Sequence, residues 1–285
     1  MLKTNSQRLV QIAVAGQVAF ARSFGWEVAQ DGRPFTLPSV GGIAYNVKIG
    51  DLASGFEADH VEPGVSIRRK DDKENAGLNT LACVGNVATV VSGDAKGAKG
   101  FVTGKHGGIE HVLVWFDQDT LEKLGPEDNI QIRSWGTGLA LEELPDIKIK
   151  NLDPELLAKM DLQIKDGVLE VPVVTTVPAY LMGSGMGSAT AHRGDYDIMT
   201  ADPKAYKQFG LDRLRFGDLV LLQDCDTTYG RGYLEGAITV GVVVHSDCLL
   251  AGHGPGITTL FTCKTPKIRG IKSEKANIGY WLGIL

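Results

Sequence analysis

Cysteine is scarce: the chain holds only Cys83, Cys225, Cys248 and Cys263, with no C-x-x-C pair among them. That excludes a disulfide-built fold and the usual zinc-ribbon spacing, and a reduced cysteine in a strand-like run packs as a small hydrophobe. A cytoplasmic, disulfide-free protein is the expectation. Positive charge is also in deficit, with 29 Lys plus Arg against 34 Asp plus Glu and a net charge of −5. Such a balance is a poor field for attracting a polyanion, so nucleic acid is disfavoured as a partner. No apolar run approaches the roughly 18 to 20 residues of a membrane-spanning helix, so no membrane partner is expected. Residues 3–22 have the outline of a signal peptide, but Gln11 and Gln17 break the apolar run, and the segment is expected to stay in the protein. Common enzyme signatures are missing too. There is no H-E-x-x-H and no G-x-S-x-G, the Walker template fails at 97–106, and the dinucleotide spacing fails at 183–188.

What is present in excess is glycine: 36 in 285 residues, well above the usual share of about 7%. Without a three-residue period these glycines serve turns, bulges and close backbone approaches. Between them run short β-branched or alternating segments at 9–19, 42–49, 65–68, 83–91, 111–116, 130–134, 168–174, 219–222, 237–245, 258–261 and 278–285. Their spacing predicts a mainly β protein, a layered sandwich or barrel-like architecture with a few short helices. Asp153-Pro154 and Asp202-Pro203 each place a capping carboxylate before a proline at the first helical position, and a third helix is expected over 119–124. The acidic, proline-bearing stretch 144–166 suggests two β-rich halves, 1–150 and 151–285, that could equally intertwine as one domain.

From Ala88 to Phe116 a strand, a Gly-Lys turn and a return strand resemble the KOW motif of small SH3-like barrels. In an RNA-binding module Lys96, Lys99 and Lys105 would contact phosphates. The alternative is a tight hairpin whose lysines keep an exposed turn soluble.

Longer motifs lie in the second half. They are Val177-Pro178-Ala179-Tyr180-Leu181-Met182-Gly183, Gly194-Asp195-Tyr196-Asp197-Ile198, Phe216-Gly217-Asp218-Leu219-Val220, Val243-Val244-His245-Ser246-Asp247 and Gly252-His253-Gly254-Pro255-Gly256. Together with Gly77-Leu78-Asn79 they resemble, over the full length, the prokaryotic family catalogued as domain of unknown function 4438. The resemblance implies a mainly β, layered fold and carries no reaction. A weaker likeness, from Val171-Pro172-Val173 to Asp197, is to acetamidases and formamidases. Their Gly-Asp-Gly-His and Gln-Gly-Asp-Gly-Glu runs are replaced here by Gly-Ser-Gly-Met and Arg-Gly-Asp-Tyr-Asp, which removes the basis for transferring their metal ligands.

Chemistry is sought where histidines and acids meet glycine-rich turns. If a strand continued through His245 and Asp247, both side chains would share a face, and the loop carrying His253 could bring a second imidazole to them. Asp195 and Asp197 share the same i, i+2 relation after the glycine loop. We therefore expect His245, His253, Asp195 and Asp197 to hold a divalent metal (Zn, Mn or Fe), with His245, Asp247 and Asp197 as catalytic groups. Gly183, Ser184, Gly185, Gly187 and Ser188 would form a backbone cradle for a small-molecule substrate. The alternative is ordinary capping and turn chemistry at each position. Asp59-His60, with Asp51, Glu57 and Glu62, forms an acidic loop whose adjacent side chains meet one ligand only if the chain bends. His106 and His111 fall on opposite faces of a regular strand, so a shared metal is not expected there. The resulting expectation is a metal-dependent hydrolase or lyase, set against a non-catalytic ligand-binding or assembly protein, with a homo-oligomer as the expected state.

Overall fold

A computed structural model describes residues 2–186, 188 and 190–285, which are mainly β with five short α-helices among them. Strands Ile12–Val18, Asn129–Ser134, Val87–Val90, Lys99–His106, His111–Trp115 and Gly64–Arg68 pair in that order. The last pairs back onto the first through Gln17–Arg68 and Val18–Ile67, which closes a six-stranded barrel. Its interior is filled by the inward-facing Val65, Ile67, Val102, Val112, Val114, Ile130 and Ile132, all fully buried. Each such aliphatic side chain contributes about 1.5–3 kcal/mol relative to exposure. The segment that resembles a KOW hairpin supplies three consecutive strands of this barrel.

A second sheet is ordered Lys148–Ile149, Gly256–Cys263, Gly232–Val243, Leu219–Asp226 and Thr175–Val177, with Tyr196–Asp197 pairing onto Gly256–Cys263. A smaller three-stranded sheet combines Gln163–Lys165, Val168–Val173 and Ile268–Lys272. One hydrophobic core joins the halves, since Val84 and Leu113 pack with Val240, Val242, Val244 and Leu260.

The barrel meets the second sheet where strand Lys99–His106 crosses strand Gly256–Cys263. Lys105 N donates to Thr258 Oγ1 at 3.1 Å, and Thr258 Oγ1 donates back to Lys105 O at 3.0 Å. Gly104 makes this approach possible, because a Cβ there would lie 2.1 Å from Val244 Cγ1. The register also slips between Val102 and Gly104, a bulge that re-aims the end of the strand.

Three local expectations need correction. Residues 278–285 are not a strand: Ile278–Leu282 is helical, because Asn277 Oδ1 accepts from Gly279 N and Gly283 closes the turn at a φ of 71°. The strand expected over 42–49 is only Ile43–Ala44, and the one expected to reach His245 ends at Val243. The longest helix, Asp72–Leu81, was not read from the sequence, although Asp71 caps it by accepting from Lys73 N and Glu74 N.

Candidate functional site

Five of the six histidines converge where the two sheets meet, brought there by four local devices. His106 and His111 are directly paired across their hairpin, so both reach one side of it. Facing strands share a face even where a single strand would not. His60 takes the left-handed backbone at a φ of 55°, the bend that lets its ring meet Asp59. His245 follows the end of strand Gly232–Val243, and His253 sits on the following loop. Asp195 and Asp197 come from the short pairing of Tyr196–Asp197 with Gly256 and Ile257. Gly256 leaves room for them, since a Cβ would fall 1.9 Å from Asp195 Oδ2 and 2.2 Å from His245 Nε2.

Four imidazoles have Nδ1 held from behind, that of His111 by Glu62 Oε2 at 3.0 Å. His60 Nδ1 meets Asp59 Oδ2 at 2.9 Å, His106 Nδ1 meets Glu62 Oε1 at 2.6 Å, and His245 Nδ1 meets Ser246 O at 2.9 Å. A carboxylate or carbonyl only accepts, so each Nδ1 carries the proton, and Nε2 of a neutral His60 or His106 presents a lone pair, whereas His245, whose Nε2 also faces a carboxylate oxygen, donates from both nitrogens until a cation replaces the Nε2 proton. This is the outer-shell arrangement that orients metal-ligating histidines. The forward nitrogens meet acids: His245 Nε2 lies 2.7 Å from Asp195 Oδ2 and 3.6 Å from Asp197 Oδ1, and His253 Nδ1 lies 2.8 Å from Asp197 Oδ2. The His106 and His245 rings stack at 4.1 Å between centroids. Ligand atoms of His106, Asp195 and His245 lie within 4.8 Å of one another, as do those of His60, Cys248 and His253.

The electrostatics are those of an acid-rich, buried cluster. Asp59, Glu62, Asp195 and Asp197 are all buried, and among the described residues none forms an ion pair with Lys or Arg; their charged partners are imidazoles. Burial alone would lower the His245 pKa, yet Asp195 and Asp197 raise it well above the ordinary imidazole value. Hydrogen bonding to Asp197 raises His253. Burial and the charge of His245 push His106 down. Burial works against the charged forms of Glu62 and Asp197, but His111 and His106 hold the first, and His245 and His253 the second, well below the usual carboxylate range. Glu62 also accepts from Gly41 N at 2.6 Å and from Ser66 Oγ. Buried charge is costly unless it is paired, and here imidazoles alone balance the four carboxylates, a role that a cation could take over.

The structure therefore brings together His245, His253, Asp195 and Asp197. It adds Asp59, His60 and Glu62, from the loop expected to meet one ligand only if the chain bends, together with His106, His111 and Cys248, whose sequence neighbourhoods held no sign of convergence with it. Asp247 lies apart: its carboxylate accepts from Thr200 Oγ1 at 2.7 Å and from Cys248 N at 2.8 Å. His245 and Asp247 do not share a face because the strand has already ended. In the glycine loop, Gly183 N donates to Asp197 O and Ser184 N to Gly252 O, so both amides are occupied in bracing the acid-bearing and His253 loops. Gly185 lies against Arg231, and Ser188 Oγ accepts from Thr190 N. Gly187 lies outside the described residues. Lys105, considered above as a phosphate contact, is fully buried and donates to Asn151 Oδ1 and His192 O, each at 2.6 Å. It is not available to a phosphate.

Comparisons with known proteins agree along the chain. The family model for the N-terminal domain of unknown function DUF4438 matches residues 26–158, and the model for its C-terminal domain matches 159–282. A solved structure described as the crystal structure of TM1086 is similar at 47% identity, over 98% of this chain and 99% of that one, with a TM-score of 0.94. No curated protein matches.

Proposed function

Given that the chain belongs to the DUF4438 family, we propose that it is a metal-dependent enzyme of hydrolase or lyase type acting on a small molecule. One observation carries the reading: His60 and His245, each held at Nδ1, turn Nε2 toward the buried carboxylates of Asp197 and Asp195, which among the described residues pair with imidazoles and with no Lys or Arg. His106, His245, Asp195 and Asp197 would hold the ion, a set of two nitrogens and two oxygens suited to Zn, Mn or Fe. Bound there, the ion would acidify water and polarise a carbonyl or phosphoryl oxygen. The proton that the bound water gives up would pass to the departing group. In hydrolysis the water oxygen bonds to the electrophilic centre, the scissile bond breaks, and the leaving group takes that proton.

Metal analysis of protein purified without chelator tests the reading. Bound ion is expected in the wild type, with loss in His245→Ala and Asp195→Ala. A wild type free of transition metal that gains none on dialysis against Zn²⁺ or Mn²⁺ overturns it.

A second reading concerns assembly and rests on a different surface. Phe20, Phe24, Trp26 and Val28 are exposed around the small strand pair Glu27–Val28 and Pro34–Phe35, with Trp26 at 78%. Four large apolar side chains exposed within nine residues of sequence suit burial against a second copy of the chain.

A further inference from the structure

We propose that the site holds two divalent cations bridged by Asp197, the second bound by His60, His253, Cys248 and the Oδ2 atom of Asp197. This rests on the metal reading above and adds a distinct ion to it. The two oxygens of Asp197 face different groups. Oδ1 is directed at His245 Nε2, 3.6 Å away, within the His106–Asp195–His245 group. Oδ2 lies 2.8 Å from His253 Nδ1 and 3.9 Å from His60 Nε2. Those two nitrogens are themselves 3.3 Å apart. The three separations approximate one face of a tetrahedron, whose edges are about 3.4 Å when each ligand sits about 2.1 Å from the ion.

Proton bookkeeping favours a cation at this point. His60 must carry its proton on Nδ1, because Asp59 can only accept there, so a neutral His60 offers a lone pair at Nε2. Asp197 Oδ2 offers further lone pairs. In the protein alone, both acceptors compete for the single Nδ1 proton of His253. A cation satisfies all three atoms at once. Cys248 adds the fourth corner, with its sulfur within 4.8 Å of ligand atoms of both histidines. On binding, its S–H bond is replaced by an S–metal bond and the proton is released to solvent. A thiolate in this position selects Zn²⁺, Cd²⁺ or Co²⁺ over Mn²⁺, whereas the inner group, built from nitrogen and oxygen alone, does not discriminate in that way. A carboxylate spanning two ions is the geometry in which both act on one substrate oxygen.

The test uses full-length protein stripped of metal, dialysed against Zn²⁺ or Co²⁺ and analysed for ions per chain. The wild type is expected to take up two and His253→Ala one. Co²⁺-loaded wild type should show thiolate-to-cobalt charge-transfer absorption, which Cys248→Ser abolishes with an unchanged circular dichroism spectrum. Uptake of one ion that survives in His253→Ala and disappears in His245→Ala overturns the second site and leaves the metal reading intact. One ion lost in both variants also overturns it, in favour of a single shared centre. Two ions without a charge-transfer band overturn the proposed ligand set at Cys248. No ion in the wild type overturns both readings.

Discussion

Single residues hold the site in tension between burial and charge. Lys105 is the clearest case outside the cluster: fully buried, with two neutral oxygens as its partners, its pKa is lowered by desolvation to about 8 from 10.5. Between pH 8 and 10.5 the unfolded chain binds the proton that the folded chain has lost, so stability attributable to Lys105 rises with pH across that window. Below the window the protonated amine carries its full burial cost. Lys105→Met should abolish that rise while leaving Asn151 Oδ1 and His192 O without this donor, each loss costing about 1–3 kcal/mol. Urea unfolding of both proteins across the window checks this; an equal rise in the variant assigns the dependence to other groups. The candidate ligands were legible one at a time as residue types, since His245, His253, Asp195 and Asp197 stand beside glycine-rich turns. The bend at His60, with its φ of 55°, was not legible, because the contact with Asp59 that accompanies it lies in the folded loop.

Elements were read best where they carry their own punctuation. The helices Pro154–Lys159 and Pro203–Gln208 follow Asp153 and Asp202, whose carboxylates accept from the first-turn amides, and a proline occupies the first turn of each. Asp153 also accepts from Asn86 Nδ2 at 2.7 Å, which ties the helix to the turn before the barrel strand Val87–Val90. Asp153→Ala should therefore cost about 1–2 kcal/mol, read as a lower urea midpoint at unchanged slope. An unchanged midpoint would remove the cap from the account. Ile278–Leu282 misled because Ile, Tyr, Trp and Leu suit a strand, and the deciding bond from Gly279 N to Asn277 Oδ1 is local but weakly encoded. His106 and His111 misled for another reason. Their separation was weighed along one strand, whereas a hairpin sets them side by side, both within 3.1 Å of Glu62 Oε1.

At the scale of the whole molecule, the barrel and the second sheet share a core and enclose the histidines at their junction. The apolar segment around Trp26 lies on the outside, and the assembly reading makes a direct prediction about it. Mass photometry should find a dimer or larger closed assembly, and Trp26→Asp combined with Phe24→Asp should shift it to monomer. A wild type that is monomeric at micromolar concentration overturns that reading. Composition, glycine content and the period of the apolar runs were enough to determine a mainly β chain without the common hydrolase motifs, because turn chemistry and strand alternation act over a few residues. The meeting of His60, Glu62, His106, Asp195, His245 and His253 was decided by tertiary structure alone. It depends on a bulge at Gly104, a close approach to Val244 and a glycine at 256, and it joins residues as far apart in sequence as His60 and His253, 193 positions, whose geometry exists only once the two sheets have packed.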